Sequence, residues 1–396
     1  MQSREKIILL ILAGIKFTYV LDFTIMIPLG PTLIRLFNLD PIHFSCLVAS
    51  YTIAAGLCGF FGSVIIDRFD RKKALLFCYL GFIAGNISCA MANNFDMLMI
   101  SRILSGAFGG VLTSVILSMV SDIVPYERRA AAIGKILLAF SFTSFLGVPV
   151  GMYLANNLIW QAPFLMLIAL STIFFIVGWR VLPSMTAHID TSPSMKVELA
   201  RVKGILKDEN HLRALLVVVL LITGQFTVIS FLSTFSVTNL GFEMTDVKYI
   251  YMLAGISYLL TLPVFGRLAD TYGKLRIFTI FIFLSLIPIF ILTNLPPVPM
   301  VVVLVLTTFF FTTVGGRMVP VTTMISAAAA PQHRGSFLSL HSAVQQLSSG
   351  FAVFLSGSIL LESTTGRLNN FHYIGWLAII SSVLCLYVAR KLKARS

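Results

Sequence analysis

Twelve apolar runs fill most of this 396-residue chain, at roughly 7–30, 44–66, 74–92, 97–120, 131–154, 160–182, 213–237, 248–268, 276–293, 300–326, 336–360 and 371–389. Each is close to the ~20 residues that cross a bilayer as a helix. In lipid no water satisfies backbone N–H and C=O groups, so such runs must close their hydrogen bonds within themselves. The chain is 57% hydrophobic and 11% charged, which leaves too little polar surface for a soluble domain. The reading is an all-α polytopic membrane protein with twelve transmembrane helices. The run at 7–30 is too long for a signal-peptide core and no small-x-small site follows it, so it is expected to stay as the first helix.

A short phrase occurs twice, each time as an apolar run ends. One copy runs from Ser63 to Lys72 and contains Asp67, Arg68, Asp70 and Arg71. The other runs from Gly266 to Lys274 and contains Asp270 and Gly273. Each places a small residue four positions before an Asp, then a turn, then basic residues. Repetition at half the chain length implies a duplicated bundle, with a six-helix half at 1–182, a linker at 183–212 and a second half at 213–396. Two such halves can move against each other around a site between them, as in a transporter. The linker is the one long polar stretch, and its Lys196–Lys207 part is expected to form an amphipathic helix on the membrane surface.

The net charge of +13 is a topology signal. With the N-terminus inside, most of the 29 Lys and Arg fall on the cytoplasmic side, including Arg68, Arg71, Arg128, Lys203, Arg276 and Arg390. Only Arg35, Lys248 and Arg367 fall outside. This is the positive-inside bias, with both termini cytoplasmic in a cell (inner) membrane. Anionic lipid headgroups, not nucleic acid, are the expected partners of that charge. The five cysteines form no C-x-x-C pair and the six histidines are scattered, so neither a metal site nor a cofactor is expected. Scattered histidines also argue against a membrane enzyme, and the short loops against a receptor. No P-loop is present, so the driving force should be an ion gradient.

These residues resemble the major facilitator superfamily over essentially the whole chain. The 266–274 copy fits that family's loop between the second and third helix of a half. The 63–72 copy departs from it at Ser63 and Asp70, where Gly is usual. Leu98-Met99-Ile100-Ser101-Arg102-Ile103-Leu104-Ser105-Gly106 is similar to the family's fourth-helix motif, with Ser105 in place of Gln. Gly147-Val148-Pro149-Val150-Gly151 is similar to the fifth-helix motif of twelve-helix drug:proton antiporters, in the form seen among sugar-efflux-like members. The resemblance implies two pseudo-symmetric bundles and proton-coupled export of a small organic molecule, amphipathic or anionic, by a monomer. An importer of a metabolite, or a lysolipid transporter of the same fold, is the alternative.

Charge inside the membrane is the sharpest clue, since each buried charge costs about 2.5–3.5 kcal/mol or more. Asp22 is the carboxylate placed deep in a span, where it can load and release a proton. Arg102 pairs with it if the first and fourth helices are neighbours, as in the family. The bland reading is a static hydrogen-bonded Asp and a snorkelling Arg. Arg317, flanked by Gly315, Gly316 and Pro320, is read as a holder of an anionic substrate group or a part of the inner gate. Lys16 is read as structural. Gln225, Phe226, Tyr258, His341 and Gln345 are candidate substrate contacts, with interhelical hydrogen bonding as the alternative for the polar ones. Asp67, Arg68, Arg71 and Asp270 are read as a cytoplasmic latch. Gly147, Pro149 and Gly151 are read as a smooth, kinked helix face.

Overall fold

In the computed structural model, residues 3–66, 68–186, 203–329, 334–364 and 366–394 are described. The helices are α1 (Ser3–Ile25), α2 (Gly30–Phe37), α3 (Pro41–Ile66), α4 (Arg71–Ala90), α5 (Phe95–Ile123), α6 (Tyr126–Phe142), α7 (Val148–Asn157) and α8 (Ala162–Val181) in the first half. The second half holds α9 (Glu209–Thr238), α10 (Val247–Tyr272), α11 (Lys274–Thr293), α12 (Met300–Ala327), α13 (Arg334–Ile359) and α14 (Phe371–Ala389). A short antiparallel pair, Leu361–Glu362 with Leu368–Asn369, lies between the last two. Residues 187–202, which include most of the expected amphipathic linker helix, lie outside the described set.

Eleven of the described helical stretches are long and apolar enough to cross a membrane, with α6 and α7 joined as one. The remaining long helix, α13, spans 26 residues and is diluted by His341, Gln345, Gln346 and several serines. Its polar residues have somewhere to go, because α13 packs along α3 at the seam between the halves.

Two local refinements of the sequence reading have physical causes. The first span ends at Ile25, short of residue 30, because Pro28 and the Gly30-Pro31 pair interrupt it and a separate helix restarts at Gly30. That short helix is capped by Asn38 at φ 52. In the fifth span the expected bend is a π-turn over Thr143–Gly147 that joins α6 to α7. Pro149 lacks the N–H that would bond one turn back, and the wider turn absorbs the mismatch.

The duplication is visible in the packing. In the first half α3 meets α5, α4 meets α5 and α8, and α1 meets α6 and α8. In the second half α10 meets α12, α11 meets α12 and α14, and α9 meets α13 and α14. The seam follows the same symmetry, with α3 against α13 and α10 against the α6–α7 unit. On the face away from the termini, one apolar cluster draws on both halves, including Leu29, Phe44, Phe164, Phe231, Phe235 and Phe371. On the terminus face the buried apolar residues divide. One cluster belongs to the first half, around Leu12, Tyr79 and Met119. The other belongs to the second, around Val218, Phe278 and Cys385, with Phe60 of α3 reaching it. The halves are thus sealed together on the face away from the termini.

Within the first half, α3 and α5 approach backbone to backbone. Gly106 and Gly110 lie one turn apart on α5, and a Cβ at Gly110 would stand 2.1 Å from the Ala55 carbonyl oxygen. Backbone cannot swing aside as a side chain can. Gly110→Val is therefore expected to destabilise the protein by about 1–3 kcal/mol through overpacking. Thermal unfolding in detergent micelles checks this, and an unchanged midpoint would show that the two helices can spread.

Candidate functional site

The helical repeat divides α1 into two working faces. Thr18 and Asp22, four residues apart, point into the first bundle. Thr18 shares a 2.9 Å hydroxyl hydrogen bond with Tyr79 of α4. Asp22 Oδ1 accepts a 2.6 Å charged hydrogen bond from Arg102 Nη1 of α5, and Arg102 Nη2 donates to the Asp22 carbonyl oxygen at 3.2 Å. Both side chains are essentially fully buried. Lys16, Tyr19 and Phe23 lie on the face toward the seam. Gln346 Nε2 of α13 donates to the Tyr19 hydroxyl at 2.6 Å, and Phe23 lies 5.8 Å from Phe226 of α9, centroid to centroid.

Tyr51 of α3 joins the two faces. Its ring stacks on Tyr19 at 6.3 Å and on Phe23 at 6.0 Å, and the Arg102 guanidinium lies 4.2 Å from its centroid. A desolvated cation over an aromatic ring is worth about 2 kcal/mol or more. Asp22 Oδ2 has no hydrogen-bond partner among the described residues. The Tyr51 hydroxyl and the Asn86 side chain both approach Asp22. One carboxylate oxygen is thus tied to a cation, while the other is buried and open to a proton.

Tyr51 and Asn86 were not singled out from the sequence, and Tyr19, a candidate partner for a static Asp22, bonds Gln346 instead. A tyrosine or asparagine in an apolar span is a faint signal, because only the neighbouring helices say whether it faces lipid, core or seam.

The loop motifs differ between the halves. Asp70 caps α4, accepting from the Lys72 amide at 2.9 Å. It also accepts from the Met185 amide at 2.9 Å and from the Ser184 hydroxyl at 2.5 Å, which ties the loop to the chain leaving α8. Burial works against its charge, yet these donors outweigh burial and hold its carboxyl below the usual carboxylate range. Asp70 has φ −53 where the corresponding Gly273 has φ 91. Replacing the expected glycine has therefore changed the turn, and the aspartate serves as a cap. Arg71 Nε bonds Asp122 Oδ2 at 2.5 Å, at the end of α5. Arg68 is exposed. Asp270 is 76% exposed and lies 3.9 Å from Lys274. Asp67 lies outside the described residues.

The other candidates fall in three places. Phe226 and Tyr258 lie along the seam, with Tyr258 5.8 Å from Phe140 of α6. Gln225 is buried, with its Oε1 lacking a partner, and His341 and Gln345 are half-buried on α13. Their neighbour Gln346, rather than Gln345, makes the bond across to α1. Arg317 is fully buried inside the second bundle, where Nη1 donates to Ser382 at 3.1 Å and to Ser285 at 3.3 Å. Gly147 packs on Leu21 and Phe17, and Gly151 on Ile25 and Pro163, so both glycines face neighbours in their own half. Pro149 sits in the first turn of α7. Across the seam, the close approach is made by Gly255 of α10, where a Cβ would stand 2.3 Å from the Phe145 amide nitrogen in the π-turn.

A family model described as the Major Facilitator Superfamily matches residues 12–311 and 214–395. The chain belongs to this superfamily. It is 29% identical over 255 residues to the uncharacterized MFS-type transporter YfhI of Bacillus subtilis, covering 61% of this chain and 63% of that one. It is 27% identical over 238 residues to a probable sugar efflux transporter of Helicobacter pylori strain G27, covering 59% of this chain and 58% of that one. These matches thus span less than two thirds of either relative. Among solved structures, a bacterial homolog of the human lysosomal transporter Spinster has a TM-score of 0.78 at 14% identity, covering 99% of this chain and 98% of that one. A D-xylose–proton symporter has a TM-score of 0.76 at 16% identity, covering 96% of each. At such identities the likeness is one of fold. The chain is a polytopic membrane protein of this superfamily.

Proposed function

We propose that this transporter exports a small organic molecule, anionic or amphipathic, in exchange for protons. The observation that carries the reading is Asp22, fully buried, with Oδ1 on Arg102 and no hydrogen bond closed on Oδ2 among the described residues. A proton on Oδ2 neutralises Asp22 and weakens the attraction that holds α1 to α5. Tyr51, packed on Arg102 and on the seam residues Tyr19 and Phe23, passes that change to the face where the halves meet. The halves 1–182 and 213–396 then rock about the seam, with 183–212 as the linker. Substrate contacts fall to seam residues, with Gln225, Phe226, Tyr258, His341 and Gln345 as candidates and Arg317 behind them in the second bundle. The name of the Helicobacter pylori relatives as probable sugar efflux transporters supports export. The protein works as a monomer in the cell (inner) membrane, both termini cytoplasmic, with anionic headgroups against its basic loops.

Reconstituted in liposomes, it is expected to move protons inward as substrate moves outward. Substrate flux unaffected by an imposed pH gradient would remove the coupling.

The latch belongs to the opposite state. With the halves sealed away from the termini, exposed Asp270 is free to engage when the terminus face closes. Asp270→Asn is expected to slow transport without lowering expression, and to raise the labelling of single cysteines near the terminus face on a Cys-less background. Unchanged labelling would reduce Asp270 to a loop charge.

A further inference from the structure

One corner of the terminus face is built differently in the two halves. In the first half the chain leaving α8 turns back over the start of α4. There Ser184 and Met185 donate to Asp70, and the Arg71 amide donates to the Met185 carbonyl oxygen at 3.2 Å. Leu182, which ends α8, is buried under that turn. In the second half Gly273 stands where Asp70 stands and has no side chain to make such a tie. The chain leaving α14 goes toward α9 instead, where the Lys393 amide donates to Asn210 Oδ1 at 2.9 Å. Arg390, which ends α14, is exposed. The result is a groove of about 690 Å³, open on its outer side and lined by Leu275, Arg276, Thr279, Ile280 and Arg390. Ligand sites commonly fall at roughly 300–1,000 Å³.

Two guanidinium groups share this groove, and neither is paired with a carboxylate among the described residues. The guanidinium fork matches a phosphate in a way that water does not replace. Beneath the arginines the walls are apolar. Ile280, Phe283 and Ile287 follow Arg276 at helical spacing on α11, and all three are exposed. On α14 Tyr387, Leu384 and Ile380 lead away from Arg390 in the same manner, also exposed. The two helices pack along each other, and Phe290 meets Trp376 at 5.7 Å, centroid to centroid, at the far end. At ~1.5 Å per residue, Arg276 to Phe290 covers about 21 Å, which exceeds the ~15 Å of hydrocarbon in one leaflet. A soluble anion would use the arginines and leave the furrow empty. A phospholipid uses both. We propose that this groove holds one anionic phospholipid of the leaflet on the terminus side, with its phosphate on Arg276 and Arg390 and an acyl chain along the furrow. The site is independent of what the protein carries.

Full-length protein is stripped of lipid in detergent and offered phosphatidylglycerol and phosphatidylcholine with the same acyl chains. Native mass spectrometry counts the lipids retained. The first phosphatidylglycerol is expected to be held about tenfold more tightly than phosphatidylcholine, a difference of about 1.4 kcal/mol. Arg276→Gln/Arg390→Gln should bring the two lipids level. Lys72→Gln/Lys73→Gln, which removes two charges from the corresponding corner of the first half, should leave the preference intact. Ile280→Trp fills the furrow while keeping both arginines, and should weaken retention of the first lipid. Excess glycerol 3-phosphate should not displace it. The comparison of the two lipids needs only the native protein, so a variant that fails to fold does not rescue the idea. Equal retention of the two lipids, a preference that survives Arg276→Gln/Arg390→Gln, or an equal loss in both double variants each overturns the proposal. So does retention untouched by Ile280→Trp. Displacement by glycerol 3-phosphate overturns it too, and would make the groove a site for a soluble phosphate.

Discussion

Asp22→Asn is expected to abolish transport driven by a pH gradient while substrate still exchanges for substrate. Asparagine keeps the shape of aspartate and fixes the neutral state, so the site can no longer load and release a proton. Exchange moves no net proton and needs only that the halves rock with substrate aboard. The variant carries a cost that must be separated from mechanism. Arg102 remains buried without its counter-ion, and breaking a buried pair from one side costs about 3–5 kcal/mol. Folded protein is therefore compared at equal monodisperse amounts, with Asp22→Asn/Arg102→Gln beside it. Proton uptake and substrate efflux are recorded together in proteoliposomes. Normal pH-driven efflux by Asp22→Asn would remove Asp22 from the mechanism, and loss of exchange as well would make its role structural.

Much of this arrangement was legible in the sequence. The apolar runs gave the spans, and the repeated loop phrase gave the two halves, because both depend on local composition and order. The Asp22–Arg102 pair was legible for a different reason. The resemblance made the first and fourth helices neighbours, and with them side by side the cost of leaving each charge alone, about 2.5–3.5 kcal/mol or more, favoured the pair over a static Asp and a snorkelling Arg.

What the sequence hid depends on the rotation of helices about their own axes. Lys16 and Asp22 are six residues apart on α1, so spacing alone puts them on different faces, but it does not say which neighbours each face meets. Gln345 and Gln346 are adjacent, and only the α13 packing decides which one reaches Tyr19. Gly147 and Gly151 carried a motif that suggested a sliding face, yet they pack within their own half while Gly255 meets the π-turn across the seam. Asp70 departed from the family pattern, and only the fold shows that the departure gained a cap and a tie to Ser184 and Met185.

Arg102→Met is expected to destabilise the protein strongly. It leaves Asp22 buried without a cation, a loss of about 3–5 kcal/mol. It also strips the charge from the face of Tyr51, worth about 2 kcal/mol or more when desolvated. Packing is nearly conserved, since methionine fills much of the same channel, so the loss reports charge rather than a cavity. Asp22→Asn/Arg102→Met then removes both charges and should recover part of the stability that the single Arg102→Met loses. The two effects share one contact, and coupling between contacting residues runs at about 0.5–3 kcal/mol. Thermal unfolding of the native protein, both single variants and the double variant closes the cycle. Strict additivity would mean that the 2.6 Å contact between Asp22 and Arg102 contributes no coupling of its own. Arg102 would then owe its place to Tyr51 alone, and the route from proton to seam would have to begin elsewhere.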